Sequence, residues 1–135
     1  MRKLNVLLVD DNPTFPKAAR ELIAALPSIA GIECANSGHE ALAHFSRSAA
    51  DLVLTDIMMP EMSGFELIRR LRARDAPPRL VAVTLHESTE YRAAVRRSGA
   101  KGCISKHEFG AAIPELIASL PCVAQRTPEG CAGAS

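Results

Sequence analysis

Three carboxylates, a hydroxyl and an amine stand at the ends of short apolar runs. Asp10 and Asp11 follow Leu4–Val9, Asp56 follows Asp51–Thr55, Thr84 follows Arg79–Val83, and Lys106 follows Lys101–Ser105. In an open parallel sheet such strand ends converge on one edge, and ligands bind there. The spacing therefore predicts a single acidic site. Carboxylates gathered in this way repel one another: two unit charges about 4 Å apart cost about 4 kcal/mol at an effective dielectric near 20. A counter-ion is required. Hard oxygen donors without clustered His or Cys point to Mg2+, which takes one or two carboxylates, keeps several waters and completes its shell with phosphate oxygens. Lys106 adds a second positive charge from the far side. Each acid taken singly reads as a helix cap or a solvated loop residue; all five residues in register argue for a site.

The elements that position these groups follow from the pattern of the whole chain. With 135 residues, 47% of them hydrophobic, it suits one compact domain. A net charge of +1 leaves no electrostatic footprint for direct contact with nucleic acid or an acidic membrane. The apolar run after Met1-Arg2-Lys3 ends at Asp10, too short for a signal peptide or a spanning helix, so a cytoplasmic location is expected. Cys34, Cys103, Cys122 and Cys131 are scattered, without a C-x-x-C pair, which argues against zinc and a disulfide framework.

Aliphatic runs alternate with amphipathic ones, the pattern of repeated βα units. Strands are predicted near Leu4–Val9, Gly31–Ala35, Asp51–Thr55, Arg79–Thr84 and Gly102–Ser105. The first, third and fourth are apolar almost throughout, as strands buried on both faces should be. Asn12 caps a helix with Pro13 at its first position, while Ser37…Glu40 and Ser63…Glu66 have capping-box spacing. These helices are expected to bury Ala18, Leu22, Ile23 and Leu26, then Leu42 and Phe45, then Phe65, Ile68 and Leu71. The fourth, Ser88 to Arg97, has only Tyr91 and Val95 as large apolar residues among several arginines, and should be weakly anchored. The fifth begins near His107 and either kinks at Pro114 or starts there after a short turn. Residues 121–135, with Pro121, Pro128, Gly130 and Gly133, read as a disordered tail after a domain spanning 1–120.

Several segments together, Val9-Asp10-Asp11-Asn12-Pro13, Asp56-Ile57-Met58-Met59-Pro60-Glu61-Met62-Ser63-Gly64, Val83-Thr84-Leu85-His86 and Gly99-Ala100-Lys101-Gly102…Ser105-Lys106, resemble the receiver domain of two-component response regulators. The likeness runs from about residue 4 to 120 and is strongest to receivers that precede a DNA-binding helix-turn-helix domain. It implies a doubly wound, five-stranded parallel sheet of flavodoxin-like fold, with strand order 2-1-3-4-5. It also implies that Asp56 accepts a phosphoryl group from the phosphohistidine of a sensor kinase or phosphotransfer protein. Asp11, Asp56 and the main-chain carbonyl of Met58 would ligate Mg2+ directly, and Asp10 would act through water. Lys106 would pair with the phosphoryl oxygens and Thr84 would turn toward them. By this reading the chain is a switch rather than an enzyme, limited to its own phosphorylation and slow dephosphorylation. The output face would be the fourth helix, fifth strand and fifth helix. It would engage an output protein, a second copy through helices 4 and 5, or a DNA-binding domain in a longer chain.

The sequence also departs from that family's pattern. Cys103 stands where receivers commonly carry Phe or Tyr, leaving Tyr91 as a substitute lever for Thr84. Leu85 is larger than the Ala or Gly often found there and would narrow access for small phosphodonors. Met58 and His86 would flank the attacking water, and Met58 offers it no hydrogen bond. Three rival readings fit less well. An unphosphorylated interaction module would be expected to lose part of the acid, Thr and Lys set. A flavin mononucleotide carrier would have its phosphate repelled by Asp10 and Asp11. An aspartyl phosphatase would want an acid at Met58.

Overall fold

In the computed structural model, which describes residues 3–85 and 88–120, strands and helices alternate along the chain. They are β1 (Leu4–Val9), α1 (Thr14–Ala24), β2 (Ile29–Ala35), α2 (Gly38–Arg47), β3 (Leu52–Asp56), α3 (Gly64–Arg72), β4 (Arg79–Thr84), α4 (Thr89–Arg97), β5 (Gly102–Ser105) and α5 (Phe109–Ser119). A single 3-10 turn, Lys106–Glu108, joins β5 to α5. The strands are all parallel and lie in the order β2-β1-β3-β4-β5, the doubly wound arrangement expected.

Successive side chains on a strand point to opposite faces, and both faces here are covered. Leu7, Val9, Val53, Leu80 and Ala82 pack toward α2, α3 and α4, meeting Ala41, Phe45, Leu67, Ile68, Leu71 and Val95. Leu4, Val6, Leu8, Leu52, Leu54, Val81 and Val83 pack toward α1 and α5, meeting Ala19, Ile23, Phe109, Ile113 and Ile117. Two covered faces account for the unbroken apolar character of β1, β3 and β4.

Most helix starts follow their local sequence. Ser37 and Ser63 accept the main-chain N–H of Glu40 and Glu66, and Glu40 reaches back to the N–H of Asn36. Ser88 does the same for Tyr91. Asn12 accepts the N–H of Thr14 at 2.9 Å, with Pro13 already in helical geometry.

Other details differ from the sequence pattern. The first helix buries Pro16, Ala19 and Ile23, while Ala18 and Leu22 face outward. A 3-4 spacing from Pro16 through Ala19 and Ile23 to the half-buried Leu26 makes a continuous stripe, and Leu22 lies off it. Leu42 and Phe65 are only half-buried; Ala41 and Leu67 take the deeper positions. The last helix starts at Phe109 and runs on through Pro114, neither breaking nor starting at it. Pro114 is exposed, so its ring displaces no core packing. The tail from residue 121 and His86 lie outside the described residues.

Candidate functional site

The strand register gathers the predicted residues step by step. Val9 pairs with Thr55, so Asp10 stands level with Asp56. Asp56 pairs with Val83, which puts Thr84 one residue farther along. Thr84 pairs with Ser105, and Lys106 follows it. The outcome is one pocket at the carboxyl edge of the sheet, with a carboxylate oxygen of each of Asp10, Asp11 and Asp56 within 4.8 Å of the others.

Lys106 closes this pocket. Its Nζ donates to Asp10 Oδ2 at 2.8 Å and lies 3.6 Å from Asp56 Oδ2. The amine thus bridges two of the acids. It also sits 5.0 Å from the centroid of the Phe15 ring, which meets Phe109 edge-on at 5.0 Å. An aromatic face attracts an ammonium and shields it from water on that side. Phe15 was not singled out in the sequence. The available signal was its place in the first turn of α1, just beyond Asp10 and Asp11.

Main-chain donors orient the acids. Asp10 Oδ1 accepts the N–H of Asn12 at 2.9 Å, and Asp56 Oδ1 accepts that of Ile57 at 2.8 Å. Burial raises the Asp56 carboxyl above the ordinary aspartate value, and the charge of Asp10 raises it further. Lys106 and the Ile57 N–H work against this, and Asp11 adds a smaller push upward. Asp56 is therefore a carboxylate whose burial and like-charged neighbours together outweigh Lys106 and its hydrogen bond.

The loop beyond Asp56 is held by tight geometry. Gly64 donates its N–H to Ile57 O at 2.8 Å, and a side chain at Gly64 would collide with the Asp56 carbonyl and the Ile57 backbone. Glu61 takes a left-handed φ of 68°, which turns the chain back toward α3. Met58 and Leu85 are both well exposed, beyond the ends of the adjacent strands β3 and β4. Thr84 is buried and lies near the Tyr91 hydroxyl. Burial pushes the Tyr91 phenol up, the Thr84 hydroxyl opposes this, and the charges of Asp56 and Cys103 add to the rise.

The donor set suits a hard divalent cation. The three clustered side chains are all carboxylates, their oxygens are close enough to share one ion, and the repulsion of Asp56 by Asp10 and Asp11 is what such an ion relieves. The neighbouring Lys106 leaves one further anion, such as a phosphate, as a fitting companion. Among the described residues no helix is long and apolar enough to cross a membrane.

Comparison with known proteins identifies a family and several structural neighbours. The family model described as the response regulator receiver domain matches residues 6–118. The response regulator UvrY of Escherichia coli is 31% identical over 117 residues, covering 87% of this chain and 52% of that protein. The chain thus spans about half the length of the curated relative it matches. A LuxR-family two-component response regulator from Aurantimonas superposes with a TM-score of 0.80 at 26% identity, over 87% of this chain and 84% of the other. The CheX–CheY complex of Borrelia burgdorferi with BeF3 and Mg2+ shares the fold, with a TM-score of 0.78 at 24% identity over 87% of this chain and 89% of that one.

Proposed function

The chain belongs to the response regulator receiver family, and from that premise we propose that Asp56 is its phosphoacceptor. The observation that carries this reading is the Lys106 amine, 2.8 Å from Asp10 and 3.6 Å from Asp56 beside the clustered carboxylates. An Asp56 oxygen attacks the phosphorus of a phosphohistidine. The P–N bond breaks as the new P–O bond forms, and the imidazole leaves toward the donor protein. Phosphoryl transfer asks the protein for in-line positioning and charge neutralisation more than for covalent assistance. Asp11, Asp56 and the Met58 carbonyl would hold Mg2+, with Asp10 acting through water; the ion, when bound, would neutralise charge on the phosphoryl oxygens.

The protein's own groups do the rest. The Ile57 N–H holds one Asp56 oxygen and so orients the other. Lys106, steadied by Phe15, is near enough to follow the phosphoryl oxygens as their negative charge arrives. Thr84 turns its hydroxyl to the same oxygens. Phosphorylation adds roughly 1.5 to 2 negative charges, and the strand ends carrying Thr84 and Lys106 pass that change to α4, β5 and α5. This face is the output surface, toward an output protein, a second copy, or a DNA-binding domain in a longer chain. The phosphodonor is a sensor histidine kinase or a phosphotransfer protein, and the setting is the cytoplasm. Water then hydrolyses the acyl phosphate slowly, since Met58 offers it no hydrogen bond.

Mass spectrometry after incubation with acetyl phosphate and Mg2+ tests the assignment. A single phosphoryl adduct is expected, lost on Asp56→Asn and on chelation of the metal. An adduct that survives Asp56→Asn would refute it.

A further inference from the structure

Charge is unevenly spread along this chain. Residues 64–106 hold ten Lys and Arg against four Asp and Glu, although the whole protein carries only +1. Much of that surplus lies on two neighbouring helices. The last turn of α3 carries Arg69, Arg70 and Arg72, and that of α4 carries Arg96 and Arg97. Cations suit the carboxyl end of a helix, yet α1 and α5 finish without any. The helix dipole alone does not call for this cluster.

Between the two helices runs an open groove of about 250 Å³, walled by Phe65 and Arg69 of α3 and by Ala94, Arg97 and Ser98 of α4. Residues three or four apart share one side of a helix, so each wall offers an apolar residue and a guanidinium together. The Phe65 ring is propped against Tyr91, with centroids 5.9 Å apart, which makes a fixed apolar floor. The Ser98 hydroxyl donates to the Val95 carbonyl and is committed within α4. The two arginines are left to meet a ligand. Arg69 shares Glu66 with Arg70, whose Nε lies 2.9 Å from that carboxylate. Among the described residues Arg97 has no acidic partner. One carboxylate beside three guanidinium groups leaves the groove cationic.

Size and lining decide what it takes. Pockets for small molecules run from roughly 300 to 1,000 Å³, whereas this smaller, open groove fits a single side chain presented from a larger surface. A nucleic-acid duplex would use the arginines and leave the apolar floor empty. We propose that the α3–α4 groove is a docking site for an acidic segment of a partner protein, which lays one large apolar side chain on Phe65 and Ala94 and sets flanking carboxylates against Arg69 and Arg97.

The test follows the isotope-labelled full chain by NMR, which maps even millimolar binding. The probe is a peptide with one leucine between pairs of glutamates. Its addition is expected to shift the amide signals of Phe65, Arg69, Ala94 and Arg97. Arg69→Glu and Arg97→Glu should each weaken binding at least about fivefold, the upper worth of one exposed ion pair. Lys17→Glu, on a helix that packs on the other face of the sheet, changes net charge equally and should have less than about a twofold effect. Replacing the peptide's leucine by alanine should weaken binding about fivefold, as the apolar contact shrinks. No shifts at millimolar peptide, or shifts that scatter over the surface or survive both arginine substitutions, would overturn the proposal. So would tighter binding of a DNA duplex or single strand at the same amides. Groove shifts that follow protein concentration without any peptide, the mark of pairing between copies, would overturn it as well.

Discussion

Asp51 and Asp56 flank the same strand, are about equally buried, and do opposite things. At the near end, Asp51 Oδ2 accepts the N–H of Asn5 at 2.8 Å. The Asp51 main chain is bound as well, its N–H to Asn5 O at 2.8 Å and its carbonyl by the N–H of Arg79 at 2.9 Å. That aspartate ties β1, β3 and β4 together. At the far end, Asp56 receives the N–H of Ile57 and then faces Asp10 and Asp11. A buried carboxylate met by donors belongs to the architecture; one met by other carboxylates is held ready for a ligand. Burial and residue type are shared, so the neighbours alone decide the role.

The largest effect that separates the two ends concerns Asp51. Asp51→Ala leaves the Asn5 N–H without its charged acceptor and should cost about 2 kcal/mol. Urea unfolding at neutral pH measures this, with Asp51→Asn in between because its amide oxygen still accepts. An unaltered midpoint would dissolve the distinction. Next in size is the response to metal. At tenfold excess over its dissociation constant, Mg2+ should stabilise the unaltered protein by about 1.4 kcal/mol. The gain should persist in Asp51→Ala and fall away in Asp56→Asn, as read by melting temperature across a Mg2+ titration.

The smallest effect has the reverse sign. In chelator, Asp56→Asn removes a charge from a crowded pocket and should raise stability by about 1 kcal/mol, the low end of what like charges about 4 Å apart cost. Because the folded protein holds the Asp56 proton more tightly than the unfolded chain, the unaltered protein loses stability as pH rises through the raised value. The advantage of Asp56→Asn thus grows as pH rises through the raised value and closes as pH falls toward the ordinary aspartate value of 3.8. Unfolding curves at several pH values decide it; an advantage that grew on acidification would contradict the raised carboxyl.

Much of this was legible in the residues. All five strands were found, because runs such as Leu4–Val9 and Arg79–Thr84 are apolar on both faces and bounded by polar residues. The placing of the acids, Thr84 and Lys106 at one sheet edge could be read ahead because register is nearly fixed once the strands are known. What periodicity could not resolve was rotation about a helix axis: Ala18 and Leu22 sit only one residue from the buried positions Ala19 and Ile23. Phe15 was missed because its place just beyond Asp10 and Asp11 marks it only as near the site, while its contact with Lys106 spans most of the chain. Pro114 misled because a helix interrupted by proline survives when the proline faces water.

Gly64 carries a lesson for anyone moving this pocket to another protein. Its hydrogen is the only side chain that lets the first turn of α3 lie against the peptide of Asp56. Grafting the carboxylates and the amine alone onto a new scaffold would leave the loop that follows Asp56 free to swing. The glycine has to travel with them, as the clearance that lets α3 pin the end of β3 in place.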